Sequence, residues 1–150
     1  MPANYQSGVI APASSDALFI TLNVRQGRDQ QIIHALQQIQ PVISRFQARF
    51  SSQSVHAVVA IGSDYWDRLT FHMSKASQHK PALLTAFPEI HGVVKMPVTP
   101  VDLLLHLRSN RRDITFQLAQ ELMGLFSILF SLFRCEGFNR LCGWHRKSTR

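Results

Sequence analysis

The sequence has few cysteines, on which small secreted domains and many metal-binding domains depend. It contains two cysteines, Cys135 and Cys142, and their spacing of seven positions matches no metal knuckle. We therefore predict neither a metal site nor a disulfide at these thiols. Residues 1–16 lack the basic start and the apolar core of a secretion signal, which predicts a cytoplasmic protein.

A long apolar run is also absent. The stretch Leu125–Phe133 is mainly apolar but has only nine residues, whereas a helix needs ~20 to span a bilayer. We therefore expect no membrane span, and attachment at a membrane surface stays as an alternative for this stretch and the basic residues after it. No Ser-His-Asp grouping, phosphate-binding loop or pair of catalytic carboxylates occurs in the sequence.

Acidic residues are scarce, with 9 Asp and Glu against 16 Lys and Arg. Residues 1–133 are nearly balanced, with 11 basic and 8 acidic side chains, whereas residues 134–150 carry five and one. The excess charge thus lies in a short tail that also contains Phe138 and Trp144. Because this tail offers no folded platform for bases or phosphates, we expect no nucleic-acid partner.

The patterns that are present predict one α+β domain. Strand-like segments occur at Ala17–Val24, Val55–Ile61 and Val101–Leu107, the first with strict alternation of apolar residues. A first helix is predicted from Asp29, its expected N-cap, to about Phe50, with a kink before Pro41. A second long helix follows from the spacing of four apolar residues, Ile114, Leu118, Leu122 and Phe126.

This order of elements predicts a ferredoxin-like split βαβ fold, with an antiparallel sheet and its helices on one face. The fourth strand of such a fold should follow Phe126, but the sequence there is irregular, so we expect that strand to be disrupted. The predicted organisation is an extended arm at 1–16, the domain at 17–126 and an aberrant tail at 127–150.

The segment PVDLLLHLRSNRRDITFQLAQELMGLF resembles a known family. Its pattern is D-[VL]-L-[IL]-H-[IL], then a basic turn with R-x-D, then a helix with A-Q, as in the N-terminal half of the dye-decolourising (DyP-type) haem peroxidases. The matching residues here are Asp102, Leu104, His106, Arg112, Asp113, Ala119 and Gln120. The opening Gln6-Ser-Gly-Val9 and two strand segments are similar as well, so the likeness covers roughly residues 6–126.

The resemblance implies the same fold and, for intact members, haem b as cofactor with hydrogen peroxide and a small organic reductant as substrates. Dyes, phenolic compounds and porphyrins are the reductants of the family. Its distal aspartate lies in a G-F-V-D-G motif, and its iron-ligating histidine and distal arginine lie in a second domain. None of these maps onto this chain as written, so we assign no catalytic, cofactor-binding or metal-binding residue.

The tail could encode the missing motif in another reading frame. Codons exist for Phe130–Thr149 that, read one nucleotide later, spell FRYLDVRDLTGFVDGTENPR, which contains G-F-V-D-G. We therefore hypothesise that the reading frame slips between about Ser127 and Phe130, which leaves an inactive N-terminal portion of a peroxidase. The alternative is a non-enzymatic ferredoxin-like module for oligomerisation or ligand binding.

Two groups of residues are the remaining candidates for a site. Among seven histidines, His106 in the third strand is predicted to be a core or sheet-face residue rather than a haem ligand. The others have no ligand-type spacing: His34, His56, His72, His79, His91 and His145. The basic turn offers either an anion site at a helix N-terminus or a solvated Arg–Asp pair, through Arg108, Arg111, Arg112 and Asp113.

Overall fold

The protein forms a four-stranded sheet whose two central strands are distant in sequence. A computed structural model describes residues 5–71, 73, 79–127 and 129–137. The elements are β1 (Asp16–Val24), α1 (Asp29–Arg49), β2 (His56–Ile61), α2 (Ser63–Thr70), β3 (Leu103–Ser109), α3 (Arg112–Phe126) and β4 (Phe130–Gly137). The strand order is β2-β3-β1-β4, with each neighbouring pair antiparallel. This arrangement confirms the predicted α+β fold with an antiparallel sheet.

The core lies between one face of the sheet and the helices α1 and α3, which also contact each other. Because successive side chains of a strand point to opposite faces, only alternate residues of β1 and β3 reach this core. The stripe of α3 that the spacing predicts is buried against them. The buried residues of these elements include Ile20, Leu22, Leu103, Leu105, Leu107, Ile114, Leu118, Leu122 and Phe126.

The helix starts differ in detail from the sequence-based expectation. Asp29 is the first residue of α1 and does not cap it, because its carboxylate is bonded to Arg68 instead. Likewise, α2 begins at Ser63 after Gly62, without a side-chain cap. The helix α1 is assigned without interruption through Pro41, so the proline is accommodated within one 21-residue helix.

The segment between α2 and β3 carries many exposed apolar side chains. Its described part, residues 79–102, has a single isolated bridge between Ile90 and Met96 and otherwise no strand or helix. The most exposed of these side chains are Leu83, Phe87, Val93, Val94 and Met96.

The last strand is present, contrary to the expected disruption. The backbone of β4 pairs antiparallel with β1 from Leu18 to Val24, with one register shift near the end of the ladder. The expectation failed because a ladder is built from backbone groups, and residues such as Phe130 and Leu132 favour extended backbone. Residues 138–150 lie outside the described part of the chain, so an altered tail at 127–150 stays a prediction.

Candidate functional site

The arm before β1 is tied to the outer edge of β2 through Gln6. The side-chain amide donates from Nε2 to the carbonyl oxygen of Val59 over 2.8 Å, and the Val59 amide donates to Gln6 Oε1 over 2.7 Å. The strand β2 lies at the edge of the sheet, so these backbone groups have no neighbouring strand on that side. The Gln6 amide therefore takes the place of one peptide group of a further strand.

Two further residues hold the same arm. The guanidinium of Arg108 donates to the carbonyl oxygens of Gly8, Ala11 and Pro12, the last two over 3.5 and 3.4 Å. A Cβ atom added at Gly8 would lie 2.5 Å from the carbonyl oxygen of Ala57, closer than atoms can approach. The opening motif Gln6-Ser-Gly thus has a physical reason: an amide for the edge and no side chain where the arm touches β2.

The basic turn before α3 contains the predicted Arg–Asp pair. Arg111 binds Asp113 with two hydrogen bonds, Nε to Oδ1 over 3.1 Å and a terminal nitrogen to Oδ2 over 2.6 Å. This pair lowers the pKa of Asp113, and both side chains are more than half exposed. Arg108 reaches away to the arm, so it does not join Arg111 in one anion site at this helix end.

Buried hydroxyl groups fix the same turn from inside. Ser109 is fully buried, its Oγ lies 2.8 Å from Thr115 Oγ1, and the Arg111 amide donates to Ser109 Oγ over 3.1 Å. The serine hydroxyl also donates to the carbonyl oxygen of Arg111. These bonds satisfy backbone groups at the start of α3, since the helix has no side-chain cap of its own.

A charge cluster joins four elements where β1 ends. Arg68 of α2 donates from Nε to Asp29 Oδ1 over 2.9 Å and from a terminal nitrogen to Asp102 Oδ2 over 3.4 Å. Asp102, just before β3, also accepts the Val24 amide over 2.7 Å. Sequence analysis selected Asp102 only through the family pattern and missed its partners. The cluster positions β1, α1, α2 and β3 relative to one another.

Tyr65 lies directly beside this cluster. The Arg68 guanidinium carbon is 4.5 Å from the centre of its ring, a cation–π contact. Burial raises the pKa of Tyr65, and the negative charge of Asp29 raises it further. The phenol therefore stays protonated at any physiological pH and acts as a packing group against the arginine.

The face of the sheet opposite the helices carries Phe19 of β1 and His106 of β3. Their rings are stacked, with centroids 4.2 Å apart and planes inclined by 12°. Burial and the positive charge of Arg108 lower the pKa of His106, so its ring is neutral at pH 7. The structure thus places His106 on a sheet face, as predicted, and its ring is already covered on one side.

His56 is the other histidine with a defined environment. It lines an open depression of about 310 Å³ that also includes Phe50, Ser52 and Ser54. Its Nε2 lies 3.1 Å from Ser54 Oγ, and burial lowers its pKa. The depression is shallow and its histidine is engaged with a neighbouring hydroxyl.

The remaining candidates are not brought together. Among the described residues, no three His, Cys, Asp or Glu side chains are close enough to hold a metal ion. His34 and His79 are exposed, and His91 lies 3.4 Å from Glu89. Cys135 lies in β4. Four other candidates, His72, Cys142, Trp144 and His145, lie outside the described residues, as does Phe138.

Nor does any described helix combine the length and the apolarity that crossing a bilayer requires. The apolar stretch Leu125–Phe133 is divided between the end of α3 and the start of β4.

Comparison with known proteins places this chain next to one family. The profile described as "Dyp-type peroxidase, N-terminal" matches residues 6–131. The dye-decolorizing peroxidase of Mycolicibacterium paratuberculosis is 35% identical over 116 residues, which cover 77% of this chain and 31% of that protein. The dye-decolorizing peroxidase of Brevibacterium linens is 34% identical over 117 residues, with 77% and 30% covered.

Solved structures agree with the sequence comparison. The encapsulated DyP-type peroxidase from Mycobacterium smegmatis is 32% identical, with a TM-score of 0.75 over 87% of this chain and 41% of that chain. A variant of DypB from Rhodococcus jostii RHA1, solved in complex with heme, is 25% identical, with a TM-score of 0.74 and the same coverage. The chain thus spans about a third of the length of the curated relatives and two fifths of these solved ones.

Proposed function

Because this chain belongs to the Dyp-type peroxidase family, we propose that it is the N-terminal portion of a haem-dependent peroxidase. Intact members bind haem b. The proposed enzyme reduces hydrogen peroxide to water with two electrons taken from a dye, a phenolic compound or a porphyrin. The observation that carries the proposal is the family match over residues 6–131, which spans β1 to the first residues of β4. Cytoplasmic location stays a prediction from the N-terminal sequence.

We further propose that the 150 residues alone do not turn over peroxide. A haem iron needs an axial side chain that faces an open cavity, usually a histidine, and groups that move a proton between the peroxide oxygens. The two half-buried histidines do not fit that role, because His106 is stacked on Phe19 and His56 is bonded to Ser54 beside a shallow depression. The described residues therefore supply a scaffold, and the iron-binding groups belong to the rest of the enzyme.

The amino-acid sequence of the tail supports a change of reading frame as the origin of this portion, because it allows codons that encode the family motif in the next frame. Trp144 has one codon, TGG, and a following histidine codon begins with C, so the shifted codon is GGC, which encodes glycine. That glycine is the second one of the G-F-V-D-G motif. Asn139–His145 as AAC CGG CTT TGT GGA TGG CAC reads, one nucleotide later, as Thr-Gly-Phe-Val-Asp-Gly. Each shifted position allows few amino acids, so agreement over twenty positions supports the frame change.

Sequencing the gene across codons 124–150 and beyond tests the frame change. We expect codons compatible with the shifted sequence, followed by an open frame for a second part. A codon set that cannot give the shifted sequence would remove the frame change from the proposal. Absence of a second part in all frames would remove the peroxidase assignment and leave the non-enzymatic module.

Haem titration tests the activity. The protein made from the gene with its frame restored should give a sharp Soret band and oxidise a dye only when peroxide is added. The 150-residue chain should show neither at the same protein concentration. A sharp Soret band and peroxide-dependent dye oxidation by the 150-residue chain would contradict the proposal that this chain alone is inactive.

A further inference from the structure

The outer edge of β2 is one of the two edges of the sheet. On its inner side β2 pairs with β3, where Val59 stands opposite Leu105. The amide and carbonyl of Val59 point outward and are bonded to Gln6. Backbone direction alternates along a strand, so the groups of Ala57 and Ile61 point outward as well. An edge of this kind is a template for pairing with another chain.

The arm that covers this edge is held by polar contacts. Its described bonds to the sheet come from the Gln6 amide and the Arg108 guanidinium. Its large apolar side chains remain in solvent: Tyr5 is 62% exposed, Val9 62% and Ile10 68%. Release of the arm therefore uncovers hydrogen-bonding groups and little apolar surface, so it does not disturb the core.

The strand behind the arm is suited to pair with itself. Its sequence, His56-Ala-Val-Val-Ala-Ile61, has no Lys, Arg, Asp or Glu, no proline and no glycine, and half of it is β-branched. His56 has a lowered pKa because of burial and Arg108, so it carries no charge at neutral pH. An antiparallel pair of identical strands has a twofold axis, which is the symmetry of most homodimers.

We propose that the N-terminal arm, held by Gln6, blocks the outer edge of β2. When the arm is released, this edge binds the β2 edge of a second copy of this chain. The pairing joins two four-stranded sheets into one sheet of eight. It depends on the arm and the edge alone and is independent of any peroxidase chemistry.

The first test releases the arm with Gln6→Met. The variant keeps an unbranched side chain of similar length, but it can neither donate to the Val59 carbonyl oxygen nor offer a carbonyl oxygen to the Val59 amide. The matched control is Gln40→Met, the same change on an exposed position of α1. Both variants keep the same tail, so a difference between them reports on the contact between Gln6 and Val59.

Two measurements test the release. Hydrogen exchange at the Val59 amide should be at least tenfold faster in Gln6→Met at dilute concentration, with the β3 amides unchanged, and unaffected in Gln40→Met. Sedimentation velocity at rising concentration should show dimers at concentrations at least tenfold lower for Gln6→Met than for the control. Equal exchange at Val59, or equal self-association of the two variants, would overturn the proposed role of the arm.

A second variant identifies the surface that dimerises. Val59→Pro in the Gln6→Met background removes the outward N–H of the edge and leaves the ladder to β3, because proline is tolerated where the N–H faces solvent. The double variant should be folded by circular dichroism and should return to the association of the control. Dimerisation that persists in a folded double variant would overturn the β2 edge as the interface.

Discussion

Nε of Arg68 in α2 donates to Oδ1 of Asp29 at the start of α1 over 2.9 Å, and the aspartate side chain is only 8% exposed. Arg68→Met removes this donor and leaves a buried carboxylate oxygen unpaired. We expect the free energy of unfolding to fall by about 2–3 kcal/mol, since the cost of an unsatisfied buried charged group exceeds that of a neutral one. Urea denaturation followed by circular dichroism measures this free energy of unfolding.

The control for Arg68 is Arg111→Met. Arg111 also binds an aspartate, but both side chains of that pair are more than half exposed. Exposed ion pairs contribute little to stability because water screens both charges, so this variant should stay close to the wild type. An equal loss of stability in the two variants would mean that the burial of Asp29 does not account for the contribution of the Arg68 cluster.

Gly62→Ala should destabilise the protein, whereas Gly124→Ala should not. A Cβ atom at Gly62 would lie 2.1 Å from the carbonyl oxygen of Val101, and this oxygen belongs to backbone that cannot turn away. We expect a loss of about 1–3 kcal/mol at Gly62, as for overpacked sites. At Gly124 nothing lies within 4 Å of the added atom, and alanine favours the helix by roughly 0.5–1 kcal/mol. Thermal unfolding of both variants gives the comparison.

His106→Phe should make stability less dependent on pH. The pKa of His106 is lowered, so between its folded value and the ordinary 6.5 the unfolded chain binds the proton and the folded chain does not. Its contribution to stability is therefore full above pH 6.5 and is lost as the pH falls through that value toward the folded pKa. The variant keeps an aromatic ring against Phe19. Urea midpoints at a series of pH values from about 7 to 5 should fall less steeply than in the wild type.

An unchanged slope in His106→Phe would assign the acid sensitivity to other groups, of which His56 is the first candidate because its pKa is also lowered.

Ser109→Ala should loosen the start of α3. The change leaves the Arg111 amide and Thr115 Oγ1 without their buried partner. We expect a loss of about 1–3 kcal/mol, the usual cost of an unsatisfied buried polar group. Ser127→Ala, at the exposed end of the same helix, is the control and should change stability by less than about 0.5 kcal/mol. A similar loss in both variants would show that burial of Ser109 is unimportant.

The elements of the fold follow from local pattern wherever the pattern is strong. The stripe of α3 and the alternation of β1 were predicted because each depends only on residues within one element. The Arg68 cluster was not predicted, because Arg68 lies 39 positions from Asp29 and 34 from Asp102, on elements that meet only in the folded chain. Gln6 was selected as part of a family pattern, and its bond to Val59, 53 positions away, required the sheet to be known. The disruption expected in β4 failed for the opposite reason, because side-chain sequence was used to judge a backbone ladder.

The strand order has a consequence for biosynthesis. Leu22 of β1 pairs with Leu103, 81 positions later, and the other neighbour of β1 comes later still. The ribosome therefore synthesises β1 long before either of its partner strands. The apolar side chains of β1 lack these partners while the rest of the chain is translated. During that interval the nascent chain exposes apolar surface, so its protection from aggregation affects the yield of native protein.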